Sequence, residues 1–211
     1  MVTELVRAGV PVSIDTMRAS VAEFALDAGV QLVNDVSGGL ADPQLPRLVA
    51  AAGVGYVVVH WRGHSQDMYA RAVYADVVSE VRDELTRRIE AVVAAGVDPG
   101  RIVVDPGLGF GKRQEHNWPL LASLADIGWL GGRAFPVLVG ASRKGFLGRL
   151  LAAPDGTPRP SDGRDGATVA ISALAAAAGA WCVRVHQVPG NADGVRVAAA
   201  WREGAARRVR P

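Results

Sequence analysis

Asp15 and Asp105 each close an apolar run, SID and IVVD, where an isolated carboxylate is costly to desolvate unless it is paired or hydrogen-bonded. Each acid has an ordinary reading, as a cap for the following helix or a partner for a nearby Arg. If both face one mouth, they can instead grip a ligand rich in N–H donors, such as an aminopyrimidine, with charge-assisted bonds worth about 1.5–3 kcal/mol each. Asn34, in QLVNDVSGG, holds a donor and an acceptor side by side and so can read a heterocycle edge that carries both. It can equally close an Asx-type turn with Asp35 and Ser37. SRK (142 to 144) and RVH (184 to 186) set cations beside the apolar runs VLVGA and CV. That placement points to an anionic or electron-rich ligand, with Arg184 able to stack on a flat ring and His186 able to donate to phosphate.

The stretch VDPGLGFGK (104 to 112) joins Asp105 to a loop with glycines at every second position. It fits neither the dinucleotide fingerprint nor the Walker pattern, which needs Ser or Thr after the Lys where Arg113 stands. The four histidines (60, 64, 116 and 186) lack zinc spacing, and no nucleophile elbow is present. The 23 basic residues include only two lysines, Lys112 and Lys144. For Lys112 the sequence suggests loop stabilisation or solvation rather than catalysis.

Six Val- and Ile-rich runs must position these groups: 11 to 15, 31 to 39, 55 to 63, 101 to 107, 136 to 144 and 182 to 187. Each precedes a polar or glycine-rich turn and a segment of helical character. Helices are expected near 18 to 28, 43 to 53, 72 to 96, 117 to 129, 165 to 179 and 192 to 203, with Gly29, Gly53 and Gly96 as left-handed stops. The Pro- and Gly-dense segment 153 to 164 reads as an exposed loop. Strands alternating with helices imply parallel pairing through right-handed crossovers. All six runs end in polar residues, among them His60 and Arg62, which favours a (β/α)₈-type barrel, where every strand delivers side chains to one mouth, over a doubly wound sheet. A closed barrel of that type has eight strands, and the sequence offers six βα units.

About half of the residues are hydrophobic, which suits a single domain spanning residues 1 to 211. No long apolar segment suggests a membrane span or signal peptide, and the single Cys182 fits a reducing compartment, so a cytoplasmic location is expected. The formal charge of +2 is mild. The basic tail WREGAARRVRP reads as a solvated end, since no aromatic residues interleave there as a nucleic-acid surface would need.

SIDTMRA, NDVSGG, DPGLGFGK, GASRKGFLG, DGRDGAT and VRVH, in this order, closely resemble dihydropteroate synthase, from about residue 8 to 203. The resemblance implies a (β/α)₈ barrel, a homodimer, and condensation of 6-hydroxymethyl-7,8-dihydropterin pyrophosphate with p-aminobenzoate, releasing pyrophosphate, with Mg²⁺ as cofactor. It implies that Asp15, Asn34 and Asp105 hold the pterin, with Lys144 on its oxo edge and Arg184 stacked on its face. Phe110 and Lys144 would border p-aminobenzoate, His186 would bind pyrophosphate, and Lys144, Arg184 and His186 would carry the catalytic work. Such a family is also the target of sulfonamides.

This sequence departs from the family's pattern. The family's first strand, with its Asn-Val-Thr-like motif serving magnesium and phosphate, and its loop with a Ser/Thr-Arg-Pro-Gly segment have no counterpart here. The metal-binding residues are therefore not assignable, and the two absent units account for the count of six. Gly145 stands where many members have Ser, and Gln187 where Asp commonly follows the His. Two other readings are a pterin-binding remnant without turnover, and the related barrel that moves a methyl group from methyl-tetrahydrofolate to a corrinoid. The SRK and RVH motifs argue against the second, because methyl transfer has no pyrophosphate to stabilise.

Overall fold

A computed structural model describes residues 1–63 and 70–207. His64 and the last four residues of the basic tail lie outside the described residues. In chain order the elements begin with α1 (Val2–Arg7), β1 (Ser13–Asp15), α2 (Ala19–Asp27), β2 (Leu32–Asp35), α3 (Gln44–Ala52) and β3 (Gly55–Val59). They continue with α4 (Val77–Ala94), β4 (Ile102–Asp105), α5 (Gln114–Ala122), α6 (Leu124–Ile127), β5 (Trp129–Leu130) and β6 (Arg133–Ala134). The chain closes with β7 (Leu138–Val139), α7 (Gly145–Leu150), α8 (Asp165–Ala177), β8 (Cys182–Val183) and α9 (Val188–Arg207).

Local rules account for most boundaries. Helix α4 starts because Asp76 accepts hydrogen bonds from the N–H groups of Val78 and Ser79, while Glu80 reaches back to Ala75 and Asp76, a reciprocal cap for donors that have no partner inside the helix. Its buried stripe, Val77, Val81, Leu85, Ile89 and Val92, falls on one helical face. Gly29, Gly53 and Gly96 all take positive φ as expected. The expected helix at 117 to 129 instead starts at Gln114 and breaks at Ser123 into α5 and α6. Helices α1 and α7 and the antiparallel hairpin β5–β6 were not foreseen. The strands are shorter than the apolar runs, and the run at 136 to 144 supplies only Leu138–Val139. The segment 153 to 164 is exposed up to Gly163 and holds a 3₁₀ turn, Ser161–Arg164.

Strands β1, β2, β3 and β4 form a parallel sheet in that order, with Asp15 opposite Asn34, Asn34 opposite Val57, and Val59 opposite Asp105. The row continues through a parallel bridge between Val104 and Val137, where the Val104 N–H donates to the Pro136 carbonyl at 2.9 Å. Beyond it, β7 pairs with β8, again in parallel. The α/β class and parallel pairing read from the sequence are therefore both found.

Because side chains alternate across a strand, each sheet face has its own core. Val33, Tyr56, Val58, Ile102 and Val104 pack outward against the helices. Val57, Val59, Val103 and Leu138, with Leu32 and Cys182, form a smaller cluster on the inner face. Asn34, Asp105 and Arg184 follow Leu32, Val103 and Cys182 at even spacing, so they continue that inner face toward the carboxyl ends of the strands. At the opposite end, a cavity of about 580 Å³ is lined by Ser13, Leu32, Gly55, Ile102 and Trp181, among others. Among the described residues, no helix is long and apolar enough to cross a membrane.

Candidate functional site

The carboxyl ends of the strands gather the sequence-derived candidates into one mouth. Asp105 is almost wholly buried and its Oδ1 accepts from the Gly107 N–H at 2.7 Å. A Cβ placed on Gly140 would lie 3.5 Å from Asp105 Oδ2 and 3.6 Å from Arg184 Nη2, which puts both groups beside the Gly140 backbone. Burial pushes the Asp105 carboxyl pKa up, opposed by Lys144, the Gly107 N–H, Arg184 and Lys112.

Asn34 lies on the same inner face and is 4% exposed, yet neither its Nδ2 nor its Oδ1 has a hydrogen-bond partner. An unbonded buried polar group costs roughly 1–3 kcal/mol, so such groups are normally satisfied. The Asx-turn alternative for this stretch belongs instead to Asp35. Its carboxylate accepts from the Ser37 N–H and hydroxyl at 2.8 and 2.7 Å, from the Gly39 N–H at 2.7 Å and from the Tyr56 hydroxyl at 2.6 Å.

Asp15 and Arg184 form an ion pair at 3.3 Å, each about half exposed. The ordinary reading of Asp15, as a partner for Arg, is thus realised, and that Arg is itself a site candidate. The Lys144 ammonium donates to the Leu108 carbonyl and sits over the Phe110 ring, 4.6 Å from its centroid. Burial lowers its pKa to about 8, although Asp105 pulls the other way. Lys144 also stands between two cavities. One, of about 240 Å³, is lined by Phe110, Asn117, Gly145 and Phe146; the other, of about 180 Å³, by Gly140, Ser142, Arg184 and His186. His186 Nδ1 lies 2.9 Å from the Ser142 hydroxyl, which also accepts the His186 backbone N–H at 3.2 Å.

Sequence reasoning assigned no mechanism to DGRDGAT, and the structure supplies one. Arg143 is the one described non-glycine residue with positive φ, at 58°. Its guanidinium makes two 2.8 Å bonds to Asp165, and its carbonyl accepts from Arg164 at 2.7 Å. This clamp holds the turn that presents Ser142 and Lys144. Gln187, the other departure, accepts from the Gly190 N–H at 3.1 Å within the first turn of α9.

The loop after β4 is tightly tied. Gly107, Gly109 and Gly111 all adopt left-handed backbone, and a Cβ on Gly107 would meet the His60 carbonyl at 2.1 Å. Lys112 is fully buried, which removes the solvated alternative. Asn117 Oδ1 accepts from the Gly109 N–H at 2.7 Å, and the Tyr74 hydroxyl donates to the Gly111 carbonyl at 2.9 Å. Asn117, His60 and Glu84 were not foreseen as supports; their distant positions in sequence give no local signal.

The mouth sets a buried carboxylate and an unpartnered amide at the ends of parallel strands, and residues 1–186 match the family described as Pterin binding enzyme. A dihydropteroate synthase of Mycobacterium leprae is 54% identical over 202 residues, covering 95% of this chain and 70% of that protein. The structure of Burkholderia cenocepacia dihydropteroate synthase complexed with 7,8-dihydropteroate superposes with a TM-score of 0.86 at 40% identity, covering 98% of this chain and 73% of that one. The Thermus thermophilus dihydropteroate synthase complexed with 4-aminobenzoate gives 0.83 at 40% identity, covering 94% and 74%. The chain belongs to the pterin-binding enzymes and, within them, to the dihydropteroate synthases.

Proposed function

We propose that this chain binds 6-hydroxymethyl-7,8-dihydropterin pyrophosphate and p-aminobenzoate and joins them to 7,8-dihydropteroate, releasing pyrophosphate. The observation that carries the reading is Asn34, whose buried amide leaves a donor and an acceptor unbonded on the face that also presents Asp105. The relatives' complexes with 7,8-dihydropteroate and 4-aminobenzoate support the same choice of ligands. The proposed architecture is a barrel of six βα units, and the proposed location is the cytoplasm.

In this reading the pterin edge lies against Asn34 and Asp105, which accept its N–H groups, with Asp15 at the open side. Lys144 donates to the oxo edge, and Arg184 leaves its pairing with Asp15 to stack on the ring. Phe110 and Lys144 flank the arylamine, whose nitrogen lone pair attacks the pterin methylene. The C–O bond to pyrophosphate breaks first, the leaving group taking that electron pair; the C–N bond then forms at the carbocation-like methylene, and the arylamine nitrogen loses one proton to solvent. His186, oriented by Ser142, and the cations Lys144 and Arg184 offset the developing charge. No protein nucleophile is required, so rate comes from positioning.

Mg²⁺ is the cofactor that the resemblance implies. Among the described residues no group of three His, Cys, Asp or Glu side chains could hold a metal. These residues do not make the oxygen-rich octahedral set that Mg²⁺ demands, so no step above is routed through it. Homodimer formation is likewise proposed from the resemblance.

Calorimetry with the pterin pyrophosphate and a pyrophosphate-release assay with p-aminobenzoate test the proposal on this chain. Binding with turnover is expected; absence of pterin binding overturns it. Binding without turnover favours a remnant, a reading supported by the exposure of Ser13 and Asp15 on β1.

A further inference from the structure

Lys112 is a buried cation that the functional reading leaves unused. Its ammonium meets three acceptors: the Gly107 carbonyl at 3.1 Å, the Phe110 carbonyl at 3.0 Å and His60 Nδ1 at 2.9 Å. An ammonium has three donors, so this set saturates it. Because Nδ1 accepts, the remaining imidazole proton is on Nε2, which donates to Glu84 at 3.0 Å. Glu84 is in turn gripped by Arg62 through both carboxylate oxygens. A continuous chain therefore runs from the half-buried face of α4, through the end of β3, into the loop after β4.

This chain reaches the mouth at two carbonyls, those of Gly107 and Phe110, and Lys112 itself lines the cavity beside Phe110 and Lys144. The N–H of Gly107 holds Asp105 Oδ1 and its carbonyl accepts from Lys112. The same carbonyl accepts the Phe110 N–H at 3.0 Å. Fixing Gly107 thus fixes both the carboxylate that faces the pterin and the backbone that carries Phe110. Glycine at 107 has no side chain to hold it, and its left-handed backbone is one that glycine adopts at little cost, so its hydrogen bonds are what fix it.

Resting on the functional reading above, we infer that Lys112 is a positioning residue: through the Gly107 carbonyl it sets Asp105, through the Gly107 and Phe110 carbonyls it sets the backbone of Phe110, and His60 and Glu84 hold Lys112 in turn. The groups facing the Lys112 ammonium are His60 and Arg62 from the segment after β3, Glu84 from α4, Asp105 from β4 and Lys144 from the loop after β7. Lys112 is brought to about 7 by burial, partly countered by Asp105, whereas Lys144 lies at about 8. Loss of the Lys112 proton removes one donor from its three acceptors, which gives the arrangement a measurable signature.

The test measures calorimetric binding of 6-hydroxymethyl-7,8-dihydropterin, a probe without phosphate titration, between pH 6 and 9, with amide exchange at Gly107, Gly109 and Phe110. In the unsubstituted chain affinity is expected to fall as pH rises through the Lys112 and Lys144 ranges. Lys112→Met is expected to bind on the order of tenfold more weakly at pH 6.5, to lose the lower inflection, and to exchange faster at those three amides while β1 to β3 stay protected. Equal affinity, or an unchanged pH profile, overturns the inference while leaving the functional reading intact; failure of the unsubstituted chain to bind overturns both. Glu84→Gln, a half-buried change that keeps an acceptor for His60, decides the matter if Lys112→Met does not fold. It is expected to weaken binding about threefold with faster exchange at Gly107, and unchanged values in both measurements overturn the inference.

Discussion

Asn34 and Asp35 are neighbours on β2, both buried, and their side chains serve opposite faces of the sheet. Asp35, on the helix side, is saturated by Ser37, Gly39 and Tyr56. Asn34, on the inner side, has no partner for either amide atom. One carboxylate organises a turn and is complete without a ligand; one amide is incomplete until something docks. The same contrast separates the two lysines. Lys112 is saturated by two carbonyls of its own loop and by His60, whereas Lys144 makes one hydrogen bond to a carbonyl and stands between two cavities. In these two pairs, whether the buried polar group is satisfied separates what holds the fold from what awaits a substrate.

The largest effect that could break this contrast is expected at Asp35. Asp35→Ala leaves the Tyr56 hydroxyl and the turn donors unbonded in the interior, and should cost about 3–5 kcal/mol in urea unfolding. Burial and Asp35 together hold the Tyr56 phenol far above its ordinary pKa, so it remains a donor at all working pH. A loss below about 1 kcal/mol would remove Asp35 from its structural role.

Asn34→Leu reverses the pattern. Replacing an unpaired amide by an apolar group of similar size should change stability by less than about 1 kcal/mol, while pterin binding falls on the order of a hundredfold. Urea melts and calorimetry on one preparation check both halves. Large destabilisation would show that the amide has a structural partner.

Acid titration sharpens the case for the His60–Glu84 pair. Burial lowers His60 from 6.5 to about 3, with Lys112 adding to the effect and Glu84 opposing it. Against burial, the bonds from His60 and Arg62 bring Glu84 from 4.5 to about 2. In both windows the unfolded chain binds protons that the folded chain refuses, so stability falls as pH drops from 6.5 toward 3, and further from 4.5 toward 2. A loss of about 2–4 kcal/mol between pH 7 and 4 is expected, and His60→Gln should flatten its upper part. At the small end, Arg196→Ala removes an exposed pair with Asp193 and should move stability by less than about 0.5 kcal/mol.

Much of this was legible beforehand. The alternation of Val-rich runs with helical segments reports parallel pairing because both patterns are local, and Gly29, Gly53 and Gly96 mark helix ends because only their backbone tolerates the turn cheaply. The motif residues Asp15, Asn34, Asp105, Ser142 to Lys144 and Arg184 to His186 all reach one end of the strands for the same reason. The strands proved shorter than their apolar runs since ladder hydrogen bonds, unlike hydrophobicity, depend on the neighbouring strand. Helix α7, right after SRK, was hidden by a run of only six residues.

What the sequence by itself determined, then, is the parallel alternation of six apolar runs with helical segments, the placing of Asp15, Asn34, Asp105 and the SRK and RVH residues at the ends of those runs, and the family to which the chain belongs. It could not say that Asn34 is unpartnered while Asp35 is satisfied, that Arg184 rests on Asp15, or that Lys112 is buried against His60. Those are decided by contacts between residues 21, 169 and 52 positions apart in the chain. Hydrogen bonds act over about 3 Å, and only the folded chain brings such groups within that distance.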